Sequence, residues 1–201
     1  TFVDLTIAGA DVQEPGSMLV PAAVAKIVRS SKARYVSLSN GNGAVTIEAA
    51  GSAAVSVPIA EKTADYPAAF SANAYGVHYG LTVGALRTVL ESVAFAADTE
   101  ACRYALESVA IEYDSARDML NFIATDGRRL AMNRVACDHG DRLEARADSP
   151  WLLPTGAVKV LLPILKAAAD SEPVGICVDR TRMQFHLPDG TVESRYLDGK
   201  F

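Results

Sequence analysis

The residues of this chain whose types could carry out chemistry are scattered. Its histidines, His78, His139 and His186, are far apart in the sequence. None of the patterns typical of serine hydrolases, zinc proteases, phosphate-binding loops or dinucleotide-binding proteins occurs. The run Asp138-His139-Gly140-Asp141 holds potential metal ligands, but four polar residues in a loop are more typical of a solvated turn. The sequence therefore predicts no metal site and no cofactor.

Carboxylates are the next candidates, because two of them could act together as acid and base. Glu112, Asp114 and Asp118 lie with Arg117 on a stretch that is predicted to form a hairpin. Mixed charges on a hairpin are typical of a solvated surface, so we predict no catalytic residue there. A hydrolase that uses two of these carboxylates is the alternative.

The most distinctive run of the chain is Ala-Thr-Asp-Gly-Arg-Arg-Leu-Ala. Residues 105–113 and 120–125 before it are apolar and β-prone. Asp126-Gly127 favours a two-residue hairpin turn, because this dipeptide tolerates positive φ. Arg128 and Arg129 follow at the start of the next strand. Alone, this pattern is typical of a hairpin with a solvated end.

Composition places the chain among ordinary globular proteins. Hydrophobic residues make up 50% and charged residues 21% of its 201 residues. The net charge of −5 excludes a protein that is basic throughout, so contact with nucleic acid would need a local basic surface. The widely spaced Cys102, Cys137 and Cys177 indicate free thiols in a reducing compartment. We expect a cytoplasmic protein without a membrane span, and Thr1 as first residue indicates a fragment.

Periodicity and turn signals give an order of elements that could position these residues. A helix begins at Pro21 and continues to Lys32, since proline suits a first helical turn. Asn40-Gly41-Asn42-Gly43 is predicted to be a hairpin loop, and a polar segment marks a domain boundary near residue 70. Strands are predicted over 2–8, 35–38, 44–48, 53–59, 75–83, 105–113, 120–125 and 129–135, and further helices over 83–94 and from Trp151 to about Ala169.

An internal repeat connects distant parts of the chain. Residues 19–28 match residues 152–161 with Pro21 aligned to Pro154, and three predicted strands follow each helix. The segment 79–135 has the same order of strand, helix and strands. The chain is therefore predicted to contain three βαβββ units and, in residues 1–13, the tail of a fourth.

The predicted helices are basic although the chain is acidic. Six basic residues lie on them against one acidic residue, Glu91. A helical surface of that sign would attract phosphate backbones through counterion release without reading bases. Lysines that serve only for solubility are the alternative. The six residues are Lys26, Arg29, Lys32, Arg87, Lys159 and Lys166.

Two motifs together resemble the middle domain of the bacterial β sliding clamp, the ring that tethers the replicative DNA polymerase. Arg-Tyr-Ala-Leu at 103–106 is similar to R-Y-x-L-x-G of that family, and residues 124–131 are similar to its A-T-D-[GS]-x-R-L-A. The chain departs from the family at Glu107-Ser108, where N-G is frequent. The resemblance implies a DNA-clamp fold of the α+β class, with helices on one face of antiparallel sheets.

The resemblance also implies a domain organisation and a function. Residues 1–69 would be the second half of clamp domain 1, residues 70–201 would be all of clamp domain 2, and domain 3 is absent from this chain. The full-length protein would be a homodimeric ring, a processivity factor without catalytic activity that encircles duplex DNA irrespective of sequence. A clamp-fold scaffold that binds proteins but not DNA is the alternative.

Three surfaces follow from the same resemblance. The DNA-facing surface would hold the six basic helix residues together with Arg103 and Tyr104, and Val55 and Val57 would lie at the ring interface. Replicative polymerase, clamp loader and repair proteins would dock linear peptides in an apolar cleft beside the Asp-Gly turn. The cleft residues would be Leu106, Thr125, Gly127, Arg128, Arg129 and Leu130.

Overall fold

The computed structural model describes residues 2–5, 7, 9–59, 77–98, 105–139, 150–179 and 181–197. The chain separates into two compact units, which are Gly9–Ala69 and the combination of Thr1–Ala8 with Phe70–Phe201. Residues 1–8 join the second of these because β1 (Phe2–Leu5) pairs with β13 (Gly190–Arg195). The sequence instead groups residues 1–69 together, and that assignment to clamp domains stays a prediction.

In the smaller unit, Gly9–Ala69, the described residues 9–59 form one helix and a three-stranded antiparallel sheet. Val24 of the helix packs against Val45 and Ile47 of the central strand to form its core. The strand order is β2-β3-β4, and no strand precedes the helix within residues 9–21. The elements are α1 (Ala22–Ser30), β2 (Val36–Gly41), β3 (Ala44–Ala49) and β4 (Val55–Pro58).

Two local predictions for this unit have different outcomes. The hairpin loop is confirmed, because Asn42 and Gly43 have φ of 53° and 71° and connect the paired residues Gly41 and Ala44. The predicted end of the helix at Lys32 is wrong. The Ser31 N–H donates to the carbonyls of Ile27 and Val28 and ends the helix at Ser30.

The described residues of the larger unit form two helices and two antiparallel sheets. One sheet has the order β1-β13-β12-β11-β5-β9, and the other has the order β10-β6-β7-β8. Both helices contribute to one hydrophobic core with Phe122 and Phe185, which are fully buried. The remaining elements are β5 (Val77–Thr82), α2 (Val83–Ala94), β6 (Ser108–Asp114), β7 (Met119–Thr125), β8 (Leu130–Ala136), β9 (Asp138–His139), β10 (Trp151–Pro154), α3 (Thr155–Ala167), β11 (Pro173–Val178) and β12 (Arg182–Leu187).

The two predicted repeats of this unit are present, and they exchange their first strands. In chain order they are β5-α2-β6-β7-β8 and β10-α3-β11-β12-β13. However, β5 pairs with β11 of the second repeat, and β10 pairs with β6 of the first. Each sheet is therefore completed by a strand of the other repeat, and the predicted α+β class with antiparallel sheets is confirmed.

One element boundary in this unit is corrected. The sequence places Trp151 at the start of a helix, but residues Trp151–Pro154 form strand β10, with Leu153 opposite Val109 of β6. The helix then starts at Thr155, whose N–H donates to the Glu107 carbonyl at 3.0 Å. No helix in the described part of the chain is long and apolar enough to cross a membrane.

Candidate functional site

The turn between β7 and β8 is held by its own side chains. The Thr125 hydroxyl donates to the Arg129 carbonyl at 2.7 Å and accepts from the Gly127 N–H at 3.1 Å. Since Thr125 pairs with Leu130, four residues connect the strands, so the predicted two-residue turn is wrong. Gly127 has φ of 81°, a conformation that favours glycine. A side chain there would strain the turn.

Asp126 uses both carboxylate oxygens inside this turn. Its Oδ1 accepts from the N–H groups of Arg128 and Arg129 at 3.0 Å each, and its Oδ2 accepts from Arg129 Nε at 3.0 Å. These N–H groups, together with the nearby guanidinium, hold the pKa of Asp126 below its ordinary value. Asp126 therefore stays ionised at neutral pH and orients the main chain and the side chain of Arg129.

Arg129 remains accessible despite these contacts. Its side chain is 57% exposed, and its Cζ lies 5.7 Å from the centre of the Phe95 ring, at the end of α2. Phe95 is itself 61% exposed. The turn thus presents a guanidinium that is fixed between a carboxylate and an aromatic ring but is still open to a ligand.

An apolar surface continues from the turn along the sheet. Leu130 and Met132 point to the same face of β8, and they are 67% and 55% exposed. Met132 is paired with Ile123 of β7, which is paired with Ala110 of β6. Ala110 and Ile123 belong to a cluster with Ala105 and Leu152. This face is apolar from the buried cluster out to the exposed edge strand.

The structure brings the predicted cleft residues to one end of the sheet. Thr125, Gly127, Arg128, Arg129 and Leu130 are consecutive or nearly so in the turn. Leu106 precedes β6, and the pairing of Ala110 with Ile123 places the start of β6 beside the end of β7. Leu106 is half-buried, and its carbonyl accepts from the Asp98 N–H at 2.9 Å.

The carboxylates of the β6–β7 hairpin have structural partners. Asp114 forms an ion pair with Arg117 at 2.7 Å, and the Tyr113 hydroxyl donates to Asp118 at 2.6 Å. Burial raises the pKa of the Cys137 thiol to about 11, so it stays protonated at neutral pH. No cluster of three potential metal ligands exists among the described residues. Of the run Asp138-His139-Gly140-Asp141, the first two residues form β9, and the last two lie outside the described residues.

The predicted DNA-facing residues divide into three groups. Lys26 and Arg29 are exposed on α1, and Lys159 is exposed on α3. Lys32 is exposed too but lies beyond the end of its helix. Arg87 of α2 and Lys166 of α3 form ion pairs with Asp170 and Glu91. Arg103 and Tyr104 lie outside the described residues.

The two valines that are predicted at the ring interface lie on β4, an edge strand in the described part of the smaller unit. Val55 is 40% exposed, whereas Val57 packs against the Val24–Val45–Ile47 core. β4 therefore presents one valine to the outside and uses the other for the core of its own unit.

The sequence of the larger unit matches a known protein family. The family model of the DNA polymerase III beta subunit, central domain, matches residues 81–201. The matched range includes the turn, its apolar face and both helices of the larger unit. The chain belongs to the DNA polymerase III beta subunit family.

Individual members of this family agree with the match. A beta sliding clamp from Synechocystis sp. is 30% identical over 128 residues, which is 60% of this chain and 32% of that protein. The DNA polymerase III beta subunit of Thermotoga maritima superposes with a TM-score of 0.82 at 21% identity, over 99% of this chain and 51% of that one. The DNA polymerase III beta subunit of Bartonella birtlesii, solved bound to griselimycin, gives a TM-score of 0.77 at 25% identity, over 95% and 50%.

These superpositions confirm the predicted clamp fold. The chain spans about half the length of the solved clamps and about a third of the curated relative. It is therefore similar to a section of a beta subunit.

The structure adds three residues to the candidate site that the sequence prediction does not contain. Ile123 and Met132 extend the apolar face, and Phe95 packs beneath Arg129. Met132 could have been inferred from the sequence, since side chains alternate along a strand and Met132 lies two residues from Leu130. Nothing in the sequence connects Phe95 with Arg129, because they come together only through the packing of α2 on the sheet.

Proposed function

We propose that the chain is a section of a sliding clamp. In its full-length, homodimeric form this clamp encircles duplex DNA irrespective of sequence and docks the replicative polymerase, clamp loader and repair proteins through linear peptide motifs. The observation that carries the proposal is the pre-ordered Asp126–Arg129 turn beside an exposed apolar face, in a chain of this family. The role is tethering and docking, without catalysis.

The apolar face supports peptide docking by its size and exposure. Large apolar side chains that lie side by side on a surface gain free energy when a partner covers them. Leu130 and Met132 offer this surface, and the cluster of Ala110 and Ile123 continues it across the same face of the sheet. A peptide with apolar side chains at its anchor positions would fit this face.

The turn supports the orientation of such a peptide. Gly127 has no side chain, and no atom lies within 4 Å of where its Cβ would be, so a peptide backbone has room to approach. Arg129 is fixed by Asp126 and Phe95 before any ligand arrives, which lowers the conformational entropy lost on binding. Its guanidinium donates to a peptide carbonyl or carboxylate.

The test is binding of a fluorescent Gln-x-x-Leu-Phe peptide to the chain, measured by anisotropy. Leu130→Ala should weaken binding by at least about tenfold, roughly 1.4 kcal/mol. Arg129→Ala should weaken it as well. Val160→Ala is the matched control, because Val160 is an exposed apolar residue of α3.

If Leu130→Ala and Val160→Ala change the peptide affinity equally, the proposed peptide-binding cleft is wrong. The same pair of variants in a full-length version should reproduce the difference between them.

A clamp-fold scaffold that binds proteins but not DNA is the second candidate. The observation that favours it is the pairing of Arg87 and Lys166 with carboxylates, in a chain of net charge −5. Retention of a closed, full-length ring on circular DNA separates the candidates. A clamp stays on the circle until the DNA is linearised, whereas a scaffold is not retained.

A further inference from the structure

Four charged residues form a neutral network between the two helices of the larger unit. The guanidinium of Arg87 donates to both carboxylate oxygens of Asp170, through Nη2 at 2.9 Å and through Nη1. One turn further along α2, Glu91 accepts from Lys166 of α3 at 2.9 Å. The pKa of Arg87 is raised, chiefly by its hydrogen bonds to Asp170. Two positive charges are thus compensated by two negative ones on this surface.

Main-chain contacts fix the position of Asp170. Its carbonyl accepts from the Gly84 N–H at 3.0 Å, and the carbonyl of Glu172 accepts from the Val83 N–H at 2.9 Å. A Cβ on Gly84 would lie 2.9 Å from the Asp170 Cβ, so the glycine permits this close approach. The carboxylate of Asp170 is therefore held near the first turns of α2, within reach of Arg87.

We call the contact between the start of a helix and the loop before a strand of the other repeat a helix joint. The start of α3 forms a helix joint like that of α2, but its loop carries no counter-ion. Thr155 begins α3 as Val83 begins α2, so Lys159 occupies the position in α3 that Arg87 occupies in α2. Glu107 accepts from Thr155 as Glu172 accepts from Val83, so Ala105 stands where the first joint has Asp170. Lys159 forms no ion pair with any residue that the structure describes.

We propose that Lys159 holds the DNA phosphates on this helix pair, while Arg87 and Lys166 are engaged by Asp170 and Glu91 and act as structural residues. The proposal rests on the DNA-encircling function proposed above. A cation that already has a carboxylate partner must give up that partner to bind a phosphate, whereas Lys159 has no carboxylate partner to give up among the described residues. Each phosphate that is neutralised contributes about 0.9 to the slope of log affinity against log salt concentration.

The experiment measures binding of the full 201-residue chain to a short fluorescein-labelled duplex over a series of salt concentrations. Lys159→Gln should weaken binding several-fold and reduce the salt slope by about 0.9. Arg117→Gln is the charge-matched control, since Arg117 is exposed on the β6–β7 hairpin and is already paired with Asp114. It should have a clearly smaller effect than Lys159→Gln.

Two double variants test the counter-ions. Glu91→Gln with Asp170→Asn frees both cations and should strengthen binding and raise the slope by up to about 1.8. Arg87→Gln with Asp170→Asn keeps the net charge and should change affinity less than Lys159→Gln does. Thermal unfolding of every variant checks that the fold is intact. Glu91→Gln and Asp170→Asn keep the side-chain sizes, and the shortened side chains at Lys159 and Arg117 are exposed.

The outcomes separate this inference from the function on which it rests. If the unmodified chain binds DNA, but Lys159→Gln behaves like Arg117→Gln, the assignment of Lys159 is wrong and the DNA function stands. If the Arg87→Gln, Asp170→Asn double variant weakens binding as much as Lys159→Gln, Arg87 contacts DNA and the assignment is wrong. If the unmodified chain shows no salt-dependent binding even at low salt, this inference fails, and retention of the full-length ring on circular DNA decides the DNA function separately.

Discussion

The helices α2 and α3 begin in the same way and differ in what lies against their second residue. Each first N–H donates to a glutamate carbonyl just before a strand of the other repeat, Val83 to Glu172 at 2.9 Å and Thr155 to Glu107 at 3.0 Å. The second helical residue is glycine in both. Gly84 lies against Asp170, whereas no atom lies within 4 Å of a Cβ on Gly156.

This difference shows which parts of the repeat are constrained. The exchanged strands and the helix joint need only main-chain hydrogen bonds, so many side chains are compatible with them. The loop that holds Asp170 departs from its counterpart at Ala105, where no side-chain counter-ion is present. The repeats therefore share a backbone and differ in the charge that they expose.

The largest expected effect on stability concerns the hydrophobic core that both repeats share. Phe122 of β7 and Phe185 of β12 are the fourth residues of equivalent strands, and both are fully buried. Replacing either by alanine should lower the free energy of unfolding by about 3–5 kcal/mol, because each leaves a cavity in one core. Urea denaturation followed by circular dichroism measures both. A difference of more than about 2 kcal/mol between them would show that the repeats do not contribute equally to the core.

The second prediction uses the two glycines. Gly84→Ala should destabilise the protein by about 1–3 kcal/mol, because the new methyl group would force Asp170 away. Gly156→Ala should instead stabilise it by about 0.4–1 kcal/mol, since alanine restricts the unfolded chain and meets open space. Urea denaturation of both variants gives the comparison. If the two variants change the free energy of unfolding equally, the loop that holds Asp170 can move away from Gly84, and the helix joint of α2 is not rigid.

The smallest effect concerns pH. Hydrogen bonds from Arg87 hold the pKa of Asp170 below its ordinary value of 3.8. A carboxyl whose pKa is depressed by folding stabilises the protein above the pKa of the unfolded chain, and this stabilisation is lost as the pH falls through the folded value. Asp170→Asn should therefore make stability less dependent on pH below about pH 4, by less than about one linked proton.

The measurement for this prediction is the midpoint of urea unfolding between neutral and acidic pH. Asp189→Asn is the matched control, because Asp189 is exposed and makes no ion pair among the described residues. If both variants have the same pH profile, the Arg87–Asp170 ion pair does not contribute to the pH dependence of stability, and the two helix joints do not differ in this respect.

The sequence predicts much of this fold because the elements are strongly patterned. The helix over 83–94 is found at those residues, since its apolar residues recur at helical spacing and Thr82 caps its start. For the Trp-Leu-Leu-Pro run the sequence predicts the start of a helix, but these residues form β10. Four apolar residues before a helix carry no periodicity that would distinguish a strand from a helical turn.

The candidate site is predictable only where it is local in sequence. Thr125 to Leu130 form one turn, so the motif predicts their proximity, although the four-residue turn depends on hydrogen bonds from Asp126 that the dipeptide signal does not contain. Phe95 beneath Arg129 and Asp170 beside Arg87 depend on contacts between distant segments. The number of basic residues on α2 and α3 therefore exceeds the number of cations that lack a carboxylate partner among the described residues.

The exchange of first strands between the repeats also has a consequence for folding kinetics. β5 precedes α2, yet it pairs with β11, where Tyr79 lies opposite Ile176. As the chain leaves the ribosome, the first repeat stays incomplete until β11 has been synthesised. Such long-range pairing slows folding and leaves strand edges exposed in the meantime. We expect the nascent larger unit to depend on chaperones until its last strands emerge.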